Sequence, residues 1–275
     1  MGGGMGGGMG GGMGGGMPLS PPSQLGIVAA AQPAPPSASL VGSDPFVRVL
    51  TDAGPPSADA SVIRLYLEPT TGALHNISLQ LECPPSLRVS LSAPPPAQAG
   101  GTRASLPMLS PGGAVPISVS VACAASLAAA PETQLLGQLS YVDAAAMGEP
   151  RILSFRVSFS LRTLLRPHAI ATPDFGALWG THAAEAKTMA NYACAADPAT
   201  FMALIERSLG IAPVQTIGME CIACGKLVGS SLSVLVHGKL GLMNGRALEL
   251  TLRTRNPLLS DALLRCTSET LQAGL

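Results

Sequence analysis

From Pro45 to about Arg166 apolar and polar residues alternate in short runs. Ile77 to Cys83, Leu87 to Leu91, Ile117 to Val121 and Phe155 to Leu161 follow period 2, and Val62 to Leu67 is a further strand-like run. Alternation over five residues or more gives a strand one buried and one wet face. Turn residues such as Thr70-Thr71-Gly72, Pro84-Pro85 and Pro111-Gly112-Gly113 separate the runs. Short strands with such breaks predict an antiparallel, immunoglobulin-like β-sandwich over 45–167. The stretch from Ala93 to Ala104 reads as a long, weakly specified loop.

After Pro167 the period changes. Thr172-Pro173-Asp174 has the chemistry of a helix start. Phe175, Leu178, Trp179, His182, Ala186 and Met189 then recur at three- and four-residue spacing, which predicts one helical stripe. Pro198 to Leu209 predicts a second helix, ended by Gly210. Val214 to Val228, Leu232 to Leu240 and Arg246 to Thr254 read as strands, the last two joined at Met243-Asn244-Gly245. Pro257 opens a closing helix with Leu259, Leu263 and Cys266 on one face. Residues 168–275 are therefore expected to form an α+β platform subdomain with an antiparallel sheet and flanking helices.

The first 17 residues repeat MGGG four times and end on Met17, holding 12 of the 32 Gly. Such a repeat buries no core. It reads as a flexible tail, a misplaced start codon or a Met-rich metal tether. Residues 18–44, rich in Pro, Ser and Ala, read as a linker.

Composition narrows the function. Sixteen basic and sixteen acidic residues give zero formal charge, which argues against a nucleic-acid or membrane-surface binder. No run of 18 apolar residues and no secretory leader is legible. Six Cys then read as reduced cytosolic thiols. Charge is uneven: residues 1–150 hold 4 basic and 8 acidic groups, and residues 151–275 hold 12 and 8. The second half is the one suited to an acidic ligand.

Cys221-Ile222-Ala223-Cys224 has CxxC spacing, but no second pair completes a zinc site. On a strand an offset of three sends the two thiols to opposite faces. A redox pair stands against two ordinary half-buried cysteines. No nucleophile elbow, phosphate loop or dinucleotide fingerprint is present, and the four His are scattered, so neither an enzyme nor a cofactor is expected. Asp44-Pro45-Phe46 is either a short trafficking ligand or a turn before the first strand. Trp179 is either a core residue or the aromatic floor of a peptide groove. Lys239, Arg246, Arg253 and Arg255, in the predicted hairpin of the same subdomain, suit an acidic, aromatic peptide.

The order of sandwich then platform resembles the appendage of a large adaptin subunit of clathrin-adaptor-type coats. Three segments carry the resemblance: Phe155 to Pro167, Asp174 to Trp179, and Leu248 to Thr254 with the helix ending Leu264-Arg265-Cys266. Met219 to Leu227 and Val234 to His237 are most similar to the epsilon subunit of adaptor complex 4, with the alpha subunit of adaptor complex 2 second. The resemblance implies a non-enzymatic platform that binds short acidic or aromatic motifs of accessory proteins beside the Trp. It implicates Trp179, Phe175 and Arg253; Arg255, His237 and Lys239 complete the candidate peptide-binding set. Glu249 stands where the alpha type has a basic residue, which favours a different ligand. The resemblance also implies other adaptor-complex subunits as partners, a cytoplasmic place on trans-Golgi network coats, and contact with membrane only through the coat. The alternative is a free-standing scaffolding sandwich protein that dimerises through its C-terminal domain.

Overall fold

The computed structural model describes residues 1–2, 33–55, 57–125, 127, 130–143, 148–245 and 247–273. The Gly/Met repeat beyond Gly2 and the linker up to residue 32 lie outside the described residues, as does Arg246.

Among the described residues ten strands build two antiparallel sheets. They are β1 (Ser39–Ser43), β2 (Val47–Ala53), β3 (Ser61–Pro69), β4 (Leu74–Leu81), β5 (Leu87–Ser92), β6 (Gln98–Gly100), β7 (Arg103–Leu109), β8 (Val115–Cys123), β9 (Gln134–Asp143) and β10 (Pro150–Ser158). One sheet runs β1-β2-β3-β8-β5 and the other β10-β9-β4-β7-β6. Burial alternates along β5 and through most of β4, as period 2 requires. Leu65, Leu67, Leu79, Leu135, Leu139 and Tyr141 are fully buried. Phe155 fits because two glycines make room: a Cβ on Gly137 would lie 2.3 Å from its ring, and one on Gly42 2.6 Å from its own Cβ.

Several expectations need correction. The linker ends earlier than residue 44, because Ser39–Ser43 pairs with β2 as an edge strand. The loop expected from Ala93 to Ala104 contains β6 and the start of β7. The last sandwich strand ends at Ser158, and Leu161–Leu164 forms a 3-10 turn. Asp44-Pro45-Phe46 is a built turn. Asp44 Oδ1 accepts the Phe46 and Val47 amides at 2.8 and 3.0 Å, and Oδ2 accepts the buried Tyr141 hydroxyl.

β11 (Leu165–Pro167) carries the chain into the second sheet system. There follow α1 (Thr172–Thr181), β12 (Ala184–Asn191), α2 (Pro198–Leu209), β13 (Ala212–Ile217), β14 (Glu220–Leu227), β15 (Ser233–Gly241), the one-turn α3 (Leu242–Gly245), β16 (Ala247–Thr254) and α4 (Pro257–Ala273). The sheet order is β11-β14-β15-β16-β12, with β13 also paired to β14. Asp197 caps α2 by accepting the Ala199 and Thr200 amides, and Gly210 closes it at φ +62°. Asn256 Oδ1 accepts the Leu258 and Leu259 amides at the start of α4. The predicted strand Val214–Val228 is a hairpin instead, because Gly218 takes φ +59° and reverses the chain.

The helical stripe expected to reach Met189 stops at Thr181. Ala184–Asn191 pairs along its whole length with β16. Strand pairing outweighs the helix preference of Ala, Glu, Lys and Met there.

One hydrophobic core runs through both layers, including Leu65 and Tyr141 of the sandwich and Phe201, Leu252 and Leu263 of the platform. Arg166 clamps the crossing. Its guanidinium donates to the carbonyls of Ser57, Ala60, Thr163 and Leu165 at 2.7–2.9 Å.

Candidate functional site

Period 2 sorts the platform sheet into two faces. Val234, Val236, Leu250 and Leu252 point to the shared core with α2 and α4. Among the described residues the opposite face is covered only in part, by α1. Beneath that helix Phe175, Cys224 and Leu235 form a second small core, flanked by Leu178, Trp179 and Ile222.

Register places the remaining side chains of this face in rows. Leu235, Arg253 and Glu185 are cross-strand neighbours. Ile222, His237, Thr251 and Lys187 form the next row. Ile217, Glu220, Lys239, Glu249 and Met189 form the third.

Trp179 lies over the first two rows. Its ring stacks on Phe175 at a centroid distance of 5.5 Å and meets the His237 ring edge-on at 5.7 Å. The Arg253 guanidinium carbon sits 4.3 Å from the indole centroid. Arg253 Nη1 donates to the Trp179 carbonyl at 3.1 Å, and Nε and Nη2 donate to Glu185 Oε2 at 2.8 and 2.5 Å. The fork therefore ties the end of α1 to the edge strand β12.

The other cations of these rows are also matched. Lys187 Nζ lies 2.8 Å from Glu249, and Lys239 Nζ 3.9 Å from Glu220. His237 Nε2 lies 3.1 Å from the same Glu220 carboxylate. The Lys187 hydrogen bond, helped by the charges of Lys187, Lys239 and His237, holds the Glu249 carboxyl below its usual range. Among the described residues of these rows three cations thus meet three carboxylates, so the rows are close to neutral. Among the described residues the basic surplus of the second half does not gather in these rows.

Of the six candidate residues, Trp179, Phe175, Arg253 and His237 come together in one cluster. Lys239 lies one row away. Arg255 stands apart, exposed beyond β16. Burial, and after it the charge of Arg255, lowers the pKa of His182. Sequence patterning does not single out Glu185, Glu220 or Lys187. The alternation of Glu185, Lys187 and Met189 with smaller residues is the signal that could find the first and last of these.

Cys221 and Cys224 do point to opposite faces, but both are fully buried rather than half-buried. Burial raises both thiols, Cys224 to about 11. Among the described residues no group of three or more His, Cys, Asp or Glu is placed to hold a metal ion, and no helix is long and apolar enough to cross a membrane.

The family model of the adaptin AP4 complex epsilon appendage platform matches residues 167–270. No curated protein matches the chain. Solved structures similar to it include the GGA1 GAE domain from yeast, at 14% identity and TM-score 0.32, covering 44% of this chain and 96% of that one. The GAE domain of GGA2p from Saccharomyces cerevisiae matches at 13% identity and TM-score 0.32, covering 45% and 97%. A DUF4466 family protein from Parabacteroides merdae matches at 8% identity and TM-score 0.26, covering 80% and 100%.

Proposed function

We propose that this chain serves as a vesicle-coat adaptor appendage, a reading supported by the match of residues 167–270 to the adaptin AP4 complex epsilon appendage platform. The platform recruits accessory proteins by holding short peptide motifs against the partly open sheet face at Trp179. Recognition of this kind is weak per motif and gains strength from several contacts at once. The setting is the cytoplasmic coat of trans-Golgi network vesicles, with the other adaptor subunits as partners and the membrane reached through the coat. The reading is non-enzymatic, in keeping with the family and with a face whose charged groups are held in ion pairs.

The observation that carries the reading is the Trp179 cluster. A half-buried indole held by Phe175, His237 and Arg253 is a rigid aromatic surface whose ordering cost is met before a ligand arrives. Two measurements test it. Trp179→Ala in the full chain should weaken binding of accessory peptides by about tenfold or more while far-UV circular dichroism stays native. Wild-type affinity in that variant removes the groove. Affinity purification of the endogenous protein should bring down a second large chain, a medium chain and a small chain of a coat adaptor. Elution alone, or only with itself, removes the coat assignment.

A further inference from the structure

We propose that Glu185 sets the charge specificity of the Trp179 face, so that it selects uncharged aromatic peptides and rejects acidic ones; this rests on the peptide-binding reading above. Among the described residues Arg253 is the cation stacked on the indole. A guanidinium stacked on an aromatic ring is a natural anchor for an incoming carboxylate, because its fork matches two oxygens. Here the fork is occupied: Nε and Nη2 are on Glu185, and Nη1 is on the Trp179 carbonyl. An acidic ligand must displace Glu185 or lie beside it as a like charge.

The neighbouring rows repeat the pattern. Lys239 faces Glu220 and Lys187 faces Glu249. An acidic peptide crossing the described residues of these rows meets three carboxylates and no unmatched cation, with His237 already against Glu220. An uncharged peptide meets apolar surface: Trp179 and Ile222 near the helix, and Ile217 and Met189, 64% and 54% exposed, at the two ends of the third row. Glu185 stands out among the three carboxylates because its partner is the cation that touches Trp179. Its place on an edge strand also puts its side chain, 38% exposed, at the open margin of the face.

The test uses the full chain and two ten-residue fluorescent peptides. Each carries two phenylalanines at alternate positions, so that an extended chain turns both to one side. The flanking residues are Asn in one peptide and Asp in the other. Wild type should bind the Asn peptide about tenfold more tightly than the Asp peptide. Glu185→Gln should leave the Asn peptide within about twofold and tighten the Asp peptide by about tenfold, a gain that disappears at high salt. Glu185→Thr, compatible with a strand, carries the same comparison if the Gln variant loses its native circular dichroism.

If wild type binds the Asp peptide as tightly as the Asn peptide, or if neither Glu185 variant changes the ratio, the proposal is overturned and the groove stands. If neither peptide binds wild type or variant, or if Trp179→Ala binds like wild type, the groove reading falls and Glu185 falls with it.

Discussion

Trp179 owes its position to Arg253 as well as to its own helix. The guanidinium caps the Trp179 carbonyl, lies against the indole and is held by Glu185 across the strand. The aromatic residues and Arg253 are legible in the sequence as a helical stripe and a basic hairpin. The partner of Arg253 is not, since Glu185 lies in a segment whose local preferences are helical. The cysteines show the same division. Their opposite faces follow from an offset of three on a strand, but their depth follows from a sheet covered on both sides at that point. Burial raises Cys123 and Cys224 to about 11 and lifts Cys194 and Cys221 as well. A raised thiol pKa means less thiolate at pH 8 and slower attack on a disulfide reagent. In the native protein only exposed Cys83 should react fast, with Cys266, beside Ser160, slower. The other four should appear only on unfolding in urea. A fast thiol mapped to Cys221 or Cys224 would revive dithiol chemistry.

At the scale of elements, alternation reveals four sandwich strands, with β3 a further strand-like run, and β9 is among those it overlooks, although β9 alternates well in the structure. The sequence Leu135-Leu136-Gly137 obscures its period, because the glycine occupies a core-facing position without an apolar side chain. That glycine is opposite Phe155 in β10. The aromatic ring fills the space that a side chain at 137 would take. Strand β12 is hidden for the complementary reason: its Ala, Lys and Met fit a helix locally, and only pairing with β16 decides otherwise. Gly137→Ala should destabilise the fold by about 1–3 kcal/mol through overpacking, measured by urea unfolding. Phe155→Leu in the same chain should make the loss smaller than the sum of the two single changes. Strict additivity would mean that the ring and the glycine do not share one space.

At the scale of the molecule, the change from period 2 to period 3.6 marks where the sandwich gives way to the platform. It carries no information on how firmly the two are joined. Several links join them among the described residues. Their cores are continuous, the Cys123 amide donates to the Val228 carbonyl at 2.9 Å, and Arg166 gathers the carbonyls of Ser57 and Ala60 in the sandwich with those of Thr163 and Leu165 in the crossing. A shared core implies that the two layers unfold together. The chain supplies its own reporter, since its one Trp is on the platform helix α1 and most of its strands are in the sandwich. Trp179 fluorescence and far-UV circular dichroism should therefore give coincident urea curves for the wild type. Arg166→Ala leaves several carbonyls without their donor and should lower stability by about 2 kcal/mol. If the continuous core carries the coupling, both curves move together to lower urea. If they separate, with fluorescence changing first, Arg166 itself holds the platform to the sandwich and the shared core alone is not sufficient.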